Sequence, residues 1–217
     1  MPDFDNIKIE ENKKKFITLL RETITREGAD VENLIAKLEN SDFFYAPAST
    51  RYHANFKGGL CQHSLNTYNN LKGLVYSKGF EEIISEETIV ICGLLHDFSK
   101  INCYVPSIKN KKEYYEAGSK RDENGNYDWV SEKCWVMLPD KERFMYGNHE
   151  ETSEFMIRSF IPLTHEESAA ILNHHGGVGY DSTQGNTAAK VMARYPLAAF
   201  LHLADMLSTF IDEKIDE

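Results

Sequence analysis

Histidine and aspartate carry most of the chemistry available to this chain of 217 residues. His63 follows Gly58-Gly59-Leu60-Cys61-Gln62, and His96-Asp97 closes the most apolar run, within Gly93-Leu94-Leu95-His96-Asp97-Phe98-Ser99-Lys100. His149, His174-His175-Gly176-Gly177 and Asp205, inside Leu201-His202-Leu203-Ala204-Asp205-Met206-Leu207, come later. A single histidine at a helix end is usually a cap or a solvated group. The two aspartates are harder to explain that way. A buried carboxylate without partners costs several kcal/mol, so Asp97 and Asp205 each need a cation or several donors. A divalent metal supplies that charge, and imidazole with carboxylate suits iron, manganese, nickel or zinc. One aspartate can bridge two ions, and paired metals about 3.5–4 Å apart activate water and clamp a phosphoryl centre.

The elements that must position these residues read as mainly helical. Asn12 to Thr25 places Phe16, Ile17, Leu19, Leu20 and Ile24 near helical spacing, and Asp30 is a candidate N-cap for a helix to Leu38. Residues 41–57 read as irregular chain, followed by a helix from Leu60 to Ser77. Ser85, with Glu86 and Glu87 behind it, opens a helix to about Phe98 that is apolar nearly all round and so central. Further helices are expected over Glu150–Phe160, Thr164–His174, where Thr164 and Glu167 form a capping box, and Pro196–Asp212. Between Cys103 and Gly147 the pattern alternates, and Asn124-Gly125 is a turn signal, so this stretch is expected to be a β-hairpin inserted between helices. The expected fold is a mainly α helical bundle with that insertion. Residues 1–45 would be a helical segment packing on a core formed by residues 46–217.

Composition narrows the function. The formal charge is −10, with 24 Lys and Arg against 34 Asp and Glu, so the surface as a whole does not attract a long nucleic-acid polymer. The run Ile89 to Leu95 falls well short of the about 18–20 apolar residues of a membrane span. No signal-peptide pattern opens the chain, and Cys61, Cys92, Cys103 and Cys134 form no CxxC pair. The cytoplasm is the expected compartment, with reduced thiols and no membrane partner.

Taken in order, Gly-Gly-Leu-x-x-His-Ser, Leu-Leu-His-Asp-x-x-Lys, a mid-chain histidine, His-His-Gly and Leu-x-x-Ala-Asp resemble the HD-domain metal-dependent phosphohydrolase superfamily, over about residues 51–212. The resemblance implies that His63, His96, Asp97 and Asp205 bind a first metal. Asp97 would bridge to a second, completed by His149 and by His174 or His175, with His174 preferred. It implies that Lys100 neutralises a substrate phosphate and that His175 faces substrate. Arg51-Tyr52-His53 through His63 is most similar to the HD domain of bacterial 3′→5′ exoribonucleases, but the chain has no OB-fold and carries the 103–147 insertion.

The implied activity is metal-dependent hydrolysis of a phosphoester in a nucleotide or short oligonucleotide. Two divalent ions are expected, iron or manganese ahead of nickel, cobalt, magnesium or zinc, with Asp97 and Lys100 as the catalytic residues. The alternatives are O₂ chemistry at a mixed-valent di-iron centre and a non-catalytic nucleotide-binding module. His53 is a further candidate for substrate binding, whereas His202 reads as a supporting histidine and His165 as solvated. Tyr114, Tyr115, Trp129 and Trp135 read as packing of the insertion, and residues 109–112 as a solvated basic loop. The N-terminal segment has no chemical motif and is a candidate homodimer contact.

Overall fold

The computed structural model describes residues 6–177 and 182–213. The remaining residues of the two expected units, 1–5, 178–181 and 214–217, lie outside the described residues. Eight α-helices appear among the described residues: α1 (Asn6–Thr23), α2 (Val31–Glu39), α3 (Gly59–Ser77), α4 (Glu86–Leu95), α5 (His149–Arg158), α6 (His165–Leu172), α7 (Ser182–Arg194) and α8 (Pro196–Leu207). The starts follow local chemistry. Asp30, Ser85, Asn148 and Thr164 each accept a backbone N–H at the first turn of their helix, and the last two form full capping boxes. Pro196 opens α8, where its missing N–H costs nothing.

The core is one apolar cluster that includes Phe16 and Leu20 of α1, Leu34 of α2, Leu60 and Leu71 of α3, and Ile89 through Leu95. It continues through Ile171 of α6 to Leu201 of α8. Helix α4 lies at its centre, packed by α1, α3 and α6, and every residue from Ile89 to Leu95 is buried. Its approach to α3 needs a glycine, because a Cβ on Gly93 would stand 2.6 Å from the Cα of Tyr68. No described helix is long and apolar enough to cross a membrane.

The insertion is a three-stranded antiparallel sheet, not the expected hairpin. Strand β1 (Tyr104–Tyr114) pairs with β3 (Gly125–Met137) from Tyr104↔Met137 to Tyr114↔Tyr127. The short β2 (Lys120–Asp122) pairs with the other edge of β3. The Asn124-Gly125 signal therefore marks the β2–β3 turn, and a separate turn over residues 115–119 leaves β1. The expected basic loop is also strand: Lys109 and Lys111 approach Glu132 across β3, and Lys112 pairs with Asp122.

Several helix boundaries and one helix differ from expectation: α1 already begins at Asn6, and α4 stops at Leu95, short of Phe98. Helix α6 stops at Leu172 because Asn173 caps it and Gly176 and Gly177 take left-handed φ angles of 64° and 84°. Helix α8 ends at Leu207 and runs into a π turn over Ser208–Asp212. Helix α7 was not expected, since Ser-Thr-Gln-Gly-Asn-Thr at its start has the composition of a loop.

A buried ion pair ties α1 to the rest. The Arg26 guanidinium, in the α1–α2 turn, donates to both oxygens of Glu167 at 2.7 Å and to Glu87 at 3.1 Å. Glu167 also accepts from Thr88 Oγ1 at 2.8 Å and from the Thr164 amide, and its side chain is fully buried. Breaking such a pair leaves a buried charge alone, so Arg26→Met is expected to cost about 3 kcal/mol or more in urea unfolding. A loss below about 1 kcal/mol would be the value of an exposed pair and would contradict this role.

Candidate metal centre

Five helices deliver side chains to one point. His63 comes from the buried face of α3, and His96-Asp97 terminates α4. His149 is the first residue of α5, His174 and His175 follow α6, and Asp205 sits near the end of α8. His63, His96, Asp97 and His174 are at most 2% exposed, and Asp205 is 9% exposed.

Asp97 is at the middle of the group, and its two oxygens face different partners. Oδ2 lies 3.5 Å from His63 Nε2, 3.6 Å from His96 Nε2 and 2.6 Å from the Lys100 ammonium. Oδ1 lies 3.1 Å from His149 Nε2 and 3.7 Å from His174 Nε2. Asp205 Oδ1 joins the first set, 3.1 Å from His63 Nε2 and 4.0 Å from His96 Nε2. Donor atoms held about 2.0–2.2 Å from one ion stand roughly 3–3.5 Å from each other, close to most of these separations.

The imidazoles mark where a cation would be held. His96 Nδ1 donates to Gly93 O at 3.1 Å, and His174 Nδ1 donates to Ile171 O at 2.7 Å. A carbonyl only accepts, so in the neutral rings both Nε2 atoms present lone pairs. His96 Nε2 nevertheless stands 3.3 Å from His63 Nε2, and His174 Nε2 stands 3.1 Å from His149 Nε2. Lone pairs converging on a buried point require a proton or a cation between them. Ligating histidines show this arrangement, with the second ring nitrogen engaged by a carbonyl or carboxylate. The donor set therefore fits divalent metal.

Charge follows the same geometry. Burial pushes His96 down, and burial with the neighbouring His96 and His175 pushes His174 well down, so both rings are neutral at neutral pH. Burial likewise lowers His149 to about 4, against the opposing pull of Asp97. His63 goes the other way: burial opposes its charge, but hydrogen bonds to Asp205 and Glu213 outweigh this and raise it to about 10. A metal bound here would take the place of the His63 proton. Burial would raise Asp97, yet Lys100 and the surrounding imidazoles hold it well below the usual carboxylate range.

Two supporting acids carry no sequence signal that singles them out. Glu213 accepts from His63 Nδ1 at 3.1 Å and from Asn66 Nδ2 at 2.8 Å, which orients the His63 ring. The π turn after α8 brings it there, and no local pattern announces that turn. Glu150 receives His175 Nδ1 at 2.9 Å. Its place beside His149 at a helix start reads as an ordinary first-turn acid.

His175 stands near His149 and His174 but is engaged by Glu150 and is 39% exposed at its side chain, whereas His174 is fully buried. His53 stacks 4.9 Å from His63, its Nε2 is buried without a hydrogen-bond partner, and burial lowers it to about 3. His202 donates Nδ1 to His174 O at 2.7 Å and so supports the backbone of that turn. Lys100 is bound to Asp97 and is not free in solvent. Tyr52, His53, Lys100, His175 and Asp205 border a cavity of about 600 Å³, with Met206 and Phe210 as apolar wall. Tyr114, Tyr127 and Trp129 pack against each other on the sheet and do not line that cavity.

No protein-family model, curated protein or solved structure matches the chain. The site stands on its own geometry.

Removing the acid that orients a ligating histidine typically weakens metal affinity about 10–100-fold. Glu213→Gln is expected to fall in that range in a competition titration with a coloured chelator, with helical content unchanged. Unaltered affinity would mean that His63 is not a ligand.

Proposed function

We propose that the chain is a metal-dependent phosphohydrolase of the HD type, cleaving a phosphoester of a nucleotide or short oligonucleotide with two divalent cations around Asp97. The observation that carries this reading is the division of the Asp97 carboxylate, Oδ2 toward His63 and His96 and Oδ1 toward His149 and His174. A carboxylate shared in this way suits two ions better than one. His63, His96, Asp97 and Asp205 would hold the first, and Asp97, His149 and His174 the second. Mixed nitrogen and oxygen donors favour iron or manganese. When bound, such a pair supplies the Lewis acidity that activates water near neutral pH and offsets charge on phosphoryl oxygens.

The chain's own residues do the rest. Asp97 stays ionised and fixes the spacing of the two ligand sets. Lys100 uses one of its three donors on Asp97 and keeps positive charge at the cavity edge, where a phosphoryl oxygen would sit. His175, held through Nδ1 by Glu150 at the edge of the cavity, would carry a proton on its other ring nitrogen to the departing oxygen. The cavity of about 600 Å³ has the size of a small-molecule site, and Tyr52, Met206 and Phe210 suit the apolar face of a base or sugar.

The test pairs wild type with Asp97→Ala, purified without chelator or nickel resin. Elemental mass spectrometry is expected to find about two equivalents of iron or manganese in wild type. The variant is expected to lose both the metal and turnover of a phosphoester panel. Normal turnover by Asp97→Ala would contradict the proposal. O₂ consumption by an iron-loaded wild type that leaves phosphoesters intact would replace it with oxidation.

A further inference from the structure

A second cavity, of about 90 Å³, lies beside the metal centre and is lined by residues that include Lys100, Tyr104, Arg143 and His149. It shares Lys100 with the larger cavity. Nothing in the chemistry above uses Arg143, yet this guanidinium is largely buried, with a side chain 17% exposed. Its Nε has no hydrogen-bond partner. A buried donor left unpaired costs about 1–3 kcal/mol, so Nε is placed to donate to something that enters the cavity. The Cys103 thiol is beside it and interacts with it, but a thiol sulfur is only a weak acceptor, and an oxyanion entering the cavity is a stronger one. Among the described residues, the carboxylate on Arg143 is that of Asp140, which binds Nη2 from the rim and is 75% exposed.

The lining holds two cationic side chains, Lys100 and Arg143, among neutral ones such as Met137, Phe144 and Thr152, and its volume fits about three waters or one tetrahedral oxyanion. A planar guanidinium with free N–H groups suits the oxygens of a phosphate. The inserted sheet builds this wall. Tyr104 begins β1, Arg143 follows the short helical turn after β3, and Leu138 N donates to Cys103 O at 2.8 Å to close the base.

We propose that this cavity is an anion subsite that takes a phosphate group other than the one being cleaved. The subsite stands on Arg143 and the cavity. That its phosphate belongs to the substrate rests on the phosphohydrolase reading, and it narrows the substrate class to small esters carrying a second phosphate.

The test begins with the full chain treated with chelator and probed with inorganic phosphate. Phosphate is expected to protect Arg143 from phenylglyoxal, read by mass spectrometry of its peptide, which needs no variant. In calorimetry Arg143→Met is expected to weaken phosphate binding about tenfold, and the charge-retaining Arg143→Lys less. Equal modification with and without phosphate, or wild-type affinity in Arg143→Met, would overturn the subsite. Chelator treatment separates the two readings: protection without metal stands even if the metal centre fails, and a two-metal enzyme with unprotected Arg143 overturns the subsite alone. With metal restored, esters bearing a second phosphate are expected to show the lower KM, and Arg143→Met is expected to raise it. Equal KM for esters with one and two phosphates would overturn the link to substrate.

Discussion

The ionised carboxylate of Asp97, 2% exposed at the end of the most apolar helix, is the constraint around which the chain is arranged. Leaving such a group alone in the interior costs several kcal/mol. Each oxygen therefore has its own company, Lys100 and two imidazoles on one side and two imidazoles on the other. Supplying those groups obliges α3, α5 and the turn after α6 to reach the same point. Asp205 adds a second buried acid and with it the need for more positive charge. The lone pairs of His96 and His174, aimed inward by their carbonyl partners, leave room for a cation as the compensating species.

Helix α4 is held at both ends to make this precise placement hold. Its ten residues span about 15 Å. At the start, Glu87 and Thr88 are bound into the Arg26–Glu167 network, which joins the α1–α2 turn to α6. At the far end, His96 and Asp97 enter the proposed metal centre. Gly93 lets α3 approach closely in between, so that His63 and His96 meet. The N-terminal helices thus contribute to the site by anchoring α4, without a chemical group of their own.

The residues of the centre were legible because acids in apolar helices are conspicuous, and Asp97 and Asp205 both appear in such settings. The caps Asp30, Ser85 and Thr164 were legible for a similar reason, each being a local signal a few residues long. What escaped depends on distant chain. Glu213 reaches His63 through a π turn, Glu150 pairs with His175 across the fold, and Arg143 enters its cavity only because the sheet folds back onto Cys103. The sequence pattern suggests a hairpin because Asn124-Gly125 fixes one turn of the sheet but not which strand lies across it. Helix α7 escapes because its first turn is composed like a loop; among its described side chains, Ala188, Val191 and Met192 reach the core side.

The central claim is that Asp97 bridges two cations, and diffraction from crystals grown with manganese tests it most directly. The account predicts two anomalous peaks about 3.5–4 Å apart, one between Asp97 Oδ2 and the His63, His96 and Asp205 side chains, the other between Oδ1 and the His149 and His174 side chains. A single peak, or none with Lys100 still seated on Asp97, would contradict it.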